Sequence, residues 1–133
     1  MNNLIYIAQL NPIIGDIEYN KNLALKYIKE AIESNADLII FPELFLSGYP
    51  LGDILERYPY ILKQCEKAIA QISNVSENIS VLMGCPEPQE QSYNNSIYYI
   101  KDSKINRIIK KSDKIHTNTN FHISFRHNIL PVK

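Results

Sequence analysis

Apolar and polar positions recur along the chain in two periods, and the switches between them mark out its elements. Leu4 to Leu10, inside "NLIYIAQLNP", is a strand-like run that Pro12 and the Gly15–Asp16 turn bring to a stop. In the next stretch Leu25, Ile28 and Ile32 recur at three- and four-residue spacing beside Ala24 and Ala31, with lysines and glutamates on the other side. That spacing predicts an amphipathic helix over about residues 19–34, closed by Asn35 in the left-handed conformation. Residues 37–41 are apolar on both faces, which suits a parallel strand covered on both sides. Strand, helix and strand in this order form a right-handed βαβ unit. Ile61, Leu62, Cys65, Ala68, Ile69 and Ile72 then predict a second helix over about residues 59–73, with Cys65 in its buried stripe. A third strand is expected over residues 79–85. After the polar turn "PEPQEQS", residues 93–100 and 104–110 read as a hairpin across Lys101-Asp102-Ser103.

Alternating strands and helices followed by an antiparallel addition predict a layered α/β fold, a mixed sheet with two helices on one face. Past Lys111 the pattern fades. "SDKIHTNTNFHISFRHNILPVK" is polar and irregular, so residues 1–111 read as one unit and residues 112–133 as a divergent, loosely ordered tail.

Composition narrows the function classes. The 133 residues fit one small domain, and 45% hydrophobic content is enough for a core. A formal net charge of zero gives no electrostatic footprint for nucleic acid or an anionic membrane surface. The longest apolar runs are too short to span a bilayer. With no signal peptide, the expected location is a reducing cytoplasm. Cys65 and Cys85 match no zinc or redox spacing, and His116, His122 and His127, even with Asp113, match no standard metal site. No cofactor or metal is expected.

One position calls for chemistry. In "ADLIIFPELFLSGYP" a carboxylate, Glu43, follows directly on a buried-strand pattern. Ligands of α/β sheets bind beyond the carboxyl ends of the strands. Walled by Phe41, Leu44 and Phe45, such a group would be partly desolvated and pushed toward the range of a general base. A carboxylate paired with a cation, or solvated on a loop, fits the same residues.

The blocks "IAQLNPIIGDIEYN", "ADLIIFPELFLSGYP" and "YNNSIYYIKDSKINRIIKK", in this order, resemble the nitrilase (carbon–nitrogen hydrolase) superfamily. Within it they resemble the N-terminal glutaminase domain of glutamine-dependent NAD synthetases, a branch that the "D.L" of Asp53 and Leu55 also favours. The resemblance implies half of an α-β-β-α sandwich and a Glu-Lys-Cys triad. In that triad a thiolate attacks the amide carbon of glutamine, the glutamate acts as base, and the lysine faces the oxyanion. Glu43 matches the base and Lys111 the lysine, with Lys110 on the other face of the strand and Lys114 a weaker candidate. The nucleophile lies well downstream of the lysine in the family, and no cysteine follows Cys85 here. The aromatic, proline-rich segment expected after the lysine is likewise replaced. Cys85 closes the third strand, where the family has a small or apolar residue. Residues 1–111 are therefore expected to be a partial hydrolase domain. A truncated chain without activity of its own is expected. One alternative is an assembly half-domain that pairs with itself or a partner through its open sheet. Another is one half of a split amidase.

Overall fold

The computed structural model describes residues 3–90 and 92–110. Lys111, Lys114 and the expected tail with its three histidines lie outside the described residues. In chain order the elements are β1 (Ile5–Ile7), α1 (Ile17–Glu33), β2 (Leu38–Ile40), α2 (Gly52–Arg57), α3 (Ile61–Asn74), β3 (Ser80–Pro88), β4 (Tyr93–Lys101) and β5 (Lys104–Lys110). The five strands form one sheet in the order β1-β2-β3-β4-β5. β1, β2 and β3 run parallel, and β4 and β5 add antiparallel. This is the mixed α/β sheet that the sequence implied.

The differences have local causes. α1 starts earlier than its apolar period because Asp16 caps it, its carboxylate accepting the Tyr19 N–H at 3.0 Å. Asn35 closes it with φ 58°, as expected. α2 adds a third helix among the described residues. Its six residues are too few to display a period, and no side chain caps it. β3 runs past Cys85 to Pro88 because the antiparallel pairing with β4 continues through Pro88 and Tyr93.

Strand alternation gives the sheet two unlike faces. Ile39, Val81, Met83, Cys85, Tyr98 and Ile100 lie on one face, buried together with Ile28 of α1 and Cys65, Ile69 and Ile72 of α3. Each aliphatic side chain buried there is worth about 1.5–3 kcal/mol. On the other face Ile5, Ile97 and Ile109 stay 42%, 39% and 48% exposed. That face carries the turn described next.

Candidate active site

The turn after β2 is fastened from three sides. Phe41 still pairs with β3, its N–H donating to the Leu82 carbonyl at 2.9 Å, and its ring packs on Phe45 with centroids 5.1 Å apart. The chain then leaves the plane and crosses β3 at Gly84. A Cβ on Gly84 would lie 2.2 Å from the Pro42 carbonyl oxygen and 2.7 Å from the Glu43 Cα. Both are backbone atoms with no room to yield, so only glycine lets the turn lie against the sheet there. Leu44 takes a positive φ of 49°, and Leu44, Phe45 and Leu46 are buried while Glu43 stays exposed.

The third fastening comes from α1 and the loop ahead of it. Asn20, fully buried, donates to the Ile13 and Leu46 carbonyls at 2.8 and 2.9 Å and accepts from the Ile13 N–H at 2.7 Å. Gly15 donates to the Ser47 carbonyl at 2.8 Å. Gly48, at φ 76°, lies so close to Ile14 that an added Cβ would be 2.7 Å from the Ile14 Cα. These contacts explain physically why the "GDIEYN" and "FPELFLSGYP" blocks occur together: one holds the other in place.

Glu43 reaches across to β4, where the Asn95 side-chain amide donates to its Oε1. Asn95 pairs with Pro86 in the register, so both lie with Gly84 on the face opposite α3. The expected apolar walls around Glu43 are corrected by this placement. The left-handed turn at Leu44 sends the flanking apolar side chains into the core and leaves the carboxylate outside. An amide donor, not burial, orients it.

Lys110 sits on the other side of the sheet. It pairs with Ser96 across the β4–β5 ladder, and its Nζ lies 3.5 Å from Glu87 Oε2. Glu87 also accepts from Asn94 and Ser96, each at 3.3 Å. Lys110 is therefore engaged away from Glu43, and Lys111 lies outside the described residues. Cys65 and Cys85 are buried at 0% and 1% exposure on the helix-covered face. Burial and the neighbouring Cys65 push the Cys85 thiol up, the reverse of what a nucleophile needs. Among the described residues no group of three His, Cys, Asp or Glu is arranged to hold a metal ion.

Sequence reasoning did not single out Gly84, Asn20 or Asn95. A polar residue in mid-strand, as Asn95 is, was the available signal.

The carbon-nitrogen hydrolase family model matches residues 4–127, nearly the whole chain. The chain belongs to the carbon–nitrogen hydrolase family. Among its curated relatives is the glutamine-dependent NAD(+) synthetase of Aquifex aeolicus, 42% identical over 107 residues, which cover 79% of this chain and 18% of that protein. The synthetase of the same description from Thermotoga maritima is 35% identical over 109 residues, 80% of this chain and 19% of the relative. The chain thus spans about a fifth of the length of the curated synthetases it matches. Of solved structures, glutamine-dependent NAD+ synthetase from Acinetobacter baumannii, in complex with adenosine diphosphate, superimposes with a TM-score of 0.74 at 33% identity. It covers 90% of this chain and 22% of its own. A mutant of the amidase from Nesterenkonia sp. AN1, with acrylamide added at its active-site cysteine, gives a TM-score of 0.74 at 18% identity. It covers 83% of this chain and 44% of that one. At that identity the likeness shows the fold alone. These matches support half of the nitrilase fold.

Proposed function

We propose that this carbon–nitrogen hydrolase chain carries the base-and-lysine part of a glutamine amidase site. The observation that carries this reading is the Glu43 carboxylate, held by Asn95 on the face opposite α3 just beyond the carboxyl end of β2. In this chemistry Glu43 takes the proton of a cysteine thiol as its sulfur bonds to the amide carbon of glutamine. It returns that proton to the nitrogen as ammonia leaves, and then draws a proton from the water that opens the thioester. Lys111 faces the oxyanion of each tetrahedral intermediate. Lys110 engages Glu87 on the covered face and so is not the lysine proposed here. Cys65 and Cys85 are not the nucleophile, because both are buried on the far face. The thiol comes from a segment or chain beyond these residues, and this polypeptide alone does not hydrolyse glutamine.

Zero-length carbodiimide crosslinking tests the pairing. A Glu43–Lys111 amide, absent from Glu43→Gln, is the expected product. Lys111 joined to Glu87 instead would put it on the covered face and contradict the assignment.

The exposed Ile5, Ile97 and Ile109 favour a second reading, an assembly half-domain whose open face pairs with a second copy or a partner. A separately encoded cysteine half would be such a partner. Sedimentation at several concentrations tests this, and a monodisperse monomer that binds no cysteine half counts against it.

A further inference from the structure

The loop ahead of α1 and the joint between α2 and α3 enclose a cavity of about 440 Å³ that the amidase reading leaves unused. Small-molecule sites commonly measure about 300–1,000 Å³. Ile54 and Ile61 line the cavity from the helices, and Ile14 lines it from the loop. A Cβ added to Gly15 would lie 3.9 Å from both Ile54 Cγ2 and Ile61 Cδ1, so a side chain there would take up part of the space. Tyr58 and Tyr60 add two phenol rings in an edge-to-face pair, their centroids 5.8 Å apart. Core packing does not account for them, since both are about half exposed. Tyr60 stands at the start of α3 without capping it. Among the described residues one charged side chain lines the cavity, that of Asp16. Its Oδ1 accepts the Tyr19 N–H, and a carboxylate so engaged still has room for a further donor.

We infer that this cavity binds a small organic ammonium ion, its apolar part against the tyrosine rings and isoleucines and its cationic nitrogen toward Asp16. The faces of aromatic rings are negative and attract a cation within about 6 Å of the centroid. The Asp16 carboxylate adds a like attraction, and no cationic side chain among the described residues lines the cavity to oppose it. Alkyl groups on the nitrogen supply the apolar surface that Ile14, Ile54 and the two rings can cover. An anionic ligand of the same shape would meet Asp16 unfavourably, and a neutral one would leave its charge unused. The site also touches the Glu43 turn. Gly15, in the cavity wall, donates to the Ser47 carbonyl at 2.8 Å, and Ile14 packs against Gly48. A ligand seated on Ile14 and Gly15 therefore braces the loop that fastens that turn.

The test is a titration of the isotope-labelled full chain with benzyltrimethylammonium, followed through backbone amide resonances. Saturable shifts at Ile14, Gly15 and Asp16 and from Tyr58 to Ile61 are expected, with smaller ones at Ser47 and Gly48. Asp16→Asn keeps a side-chain oxygen for the cap of α1 and removes the charge, and it should weaken binding by about threefold or more. Tyr60→Leu, at an exposed position, keeps an apolar side chain without the ring and should weaken binding by a similar factor of about threefold. Phenylacetate, with the same ring and the opposite charge, should bind far more weakly than the ammonium ion. Shifts that fail to saturate, shifts centred elsewhere on the chain, phenylacetate binding as tightly, or unchanged affinity in Asp16→Asn would each overturn the inference.

Discussion

On β3 the two faces of the sheet alternate residue by residue. Val81, Met83 and Cys85 lie beneath α3 and are almost wholly inaccessible. Leu82, Gly84 and Pro86 face the other way, where Pro42, Glu43 and Leu44 cross the strand and Asn95 meets the carboxylate. Under α1 and α3 the covered face is apolar and packing accounts for its residues, while at its margin Glu87 gathers Lys110, Asn94 and Ser96. The other face mixes apolar side chains such as Ile97 with a glycine and an amide donor that packing does not require. The contrast teaches where to look for chemistry on such a sheet. Much of the stability resides under the helices, and the residues that break the apolar pattern opposite them position the Glu43 carboxylate.

Substitutions can break that division or sharpen it. The largest expected loss comes from the covered face. Ile69→Ala should cost about 3–4 kcal/mol of unfolding free energy in urea, because α3 cannot collapse into the space left. Gly84→Ala should cost nearly as much, about 3 kcal/mol, although it adds only a methyl group. Its Cβ meets the backbone of the turn, so backbone amide shifts should spread through residues 42–46. A cost below about 0.5 kcal/mol would mean that the turn does not rest on the sheet. Asn20→Ala should cost about 2 kcal/mol, since three backbone groups, the Leu46 carbonyl buried and both Ile13 groups partly so, lose their partner.

A pH series probes the covered face from another direction. Burial raises the folded Cys85 thiol, while the unfolded thiol ionises near pH 8.5, about its ordinary value. The unfolded chain therefore releases a proton that the folded chain keeps. Stability is fully present below that pH and falls above it, by up to about 1.4 kcal/mol per pH unit for this group. Tyr98, raised mainly by burial and then by Cys85, adds a like fall above its ordinary range near pH 10. Urea titrations from pH 7 to pH 10 should show the decline, and Cys85→Ala should flatten its first part. The smallest change is expected on the open face, where Ile97→Ser should alter stability by no more than about 0.5 kcal/mol. A larger loss would show that something covers Ile97 in solution.

Much of this was legible in the residues because their periods are physical. Helices α1 and α3 announce themselves through Ile28, Ala31, Cys65 and Ile69, and the apolar core of β2 and β3 through Ile39 and Val81. Glu43 stood out because a carboxylate follows a buried strand. What could not be read was direction. The positive φ at Leu44 decides that the apolar neighbours go inward and Glu43 outward, and leucine gives no warning of it. Gly84 looked like an ordinary strand residue, because its role depends on a segment some 40 positions away that packs on it. Asn20 was hidden for the same reason: its partners at Ile13 and Leu46 belong to separate loops.

The central claim is that Glu43 belongs to an amidase site whose nucleophile is neither Cys65 nor Cys85. Ammonia release from glutamine by the purified chain tests it most directly, with Glu43→Ala and Cys85→Ala beside it. Losing the nucleophile of a triad commonly removes about a million-fold in rate, so no release above the Glu43→Ala control is the expected result. Turnover abolished by both substitutions would contradict the account, because Cys85 would then be attacking from the face that the structure shows closed.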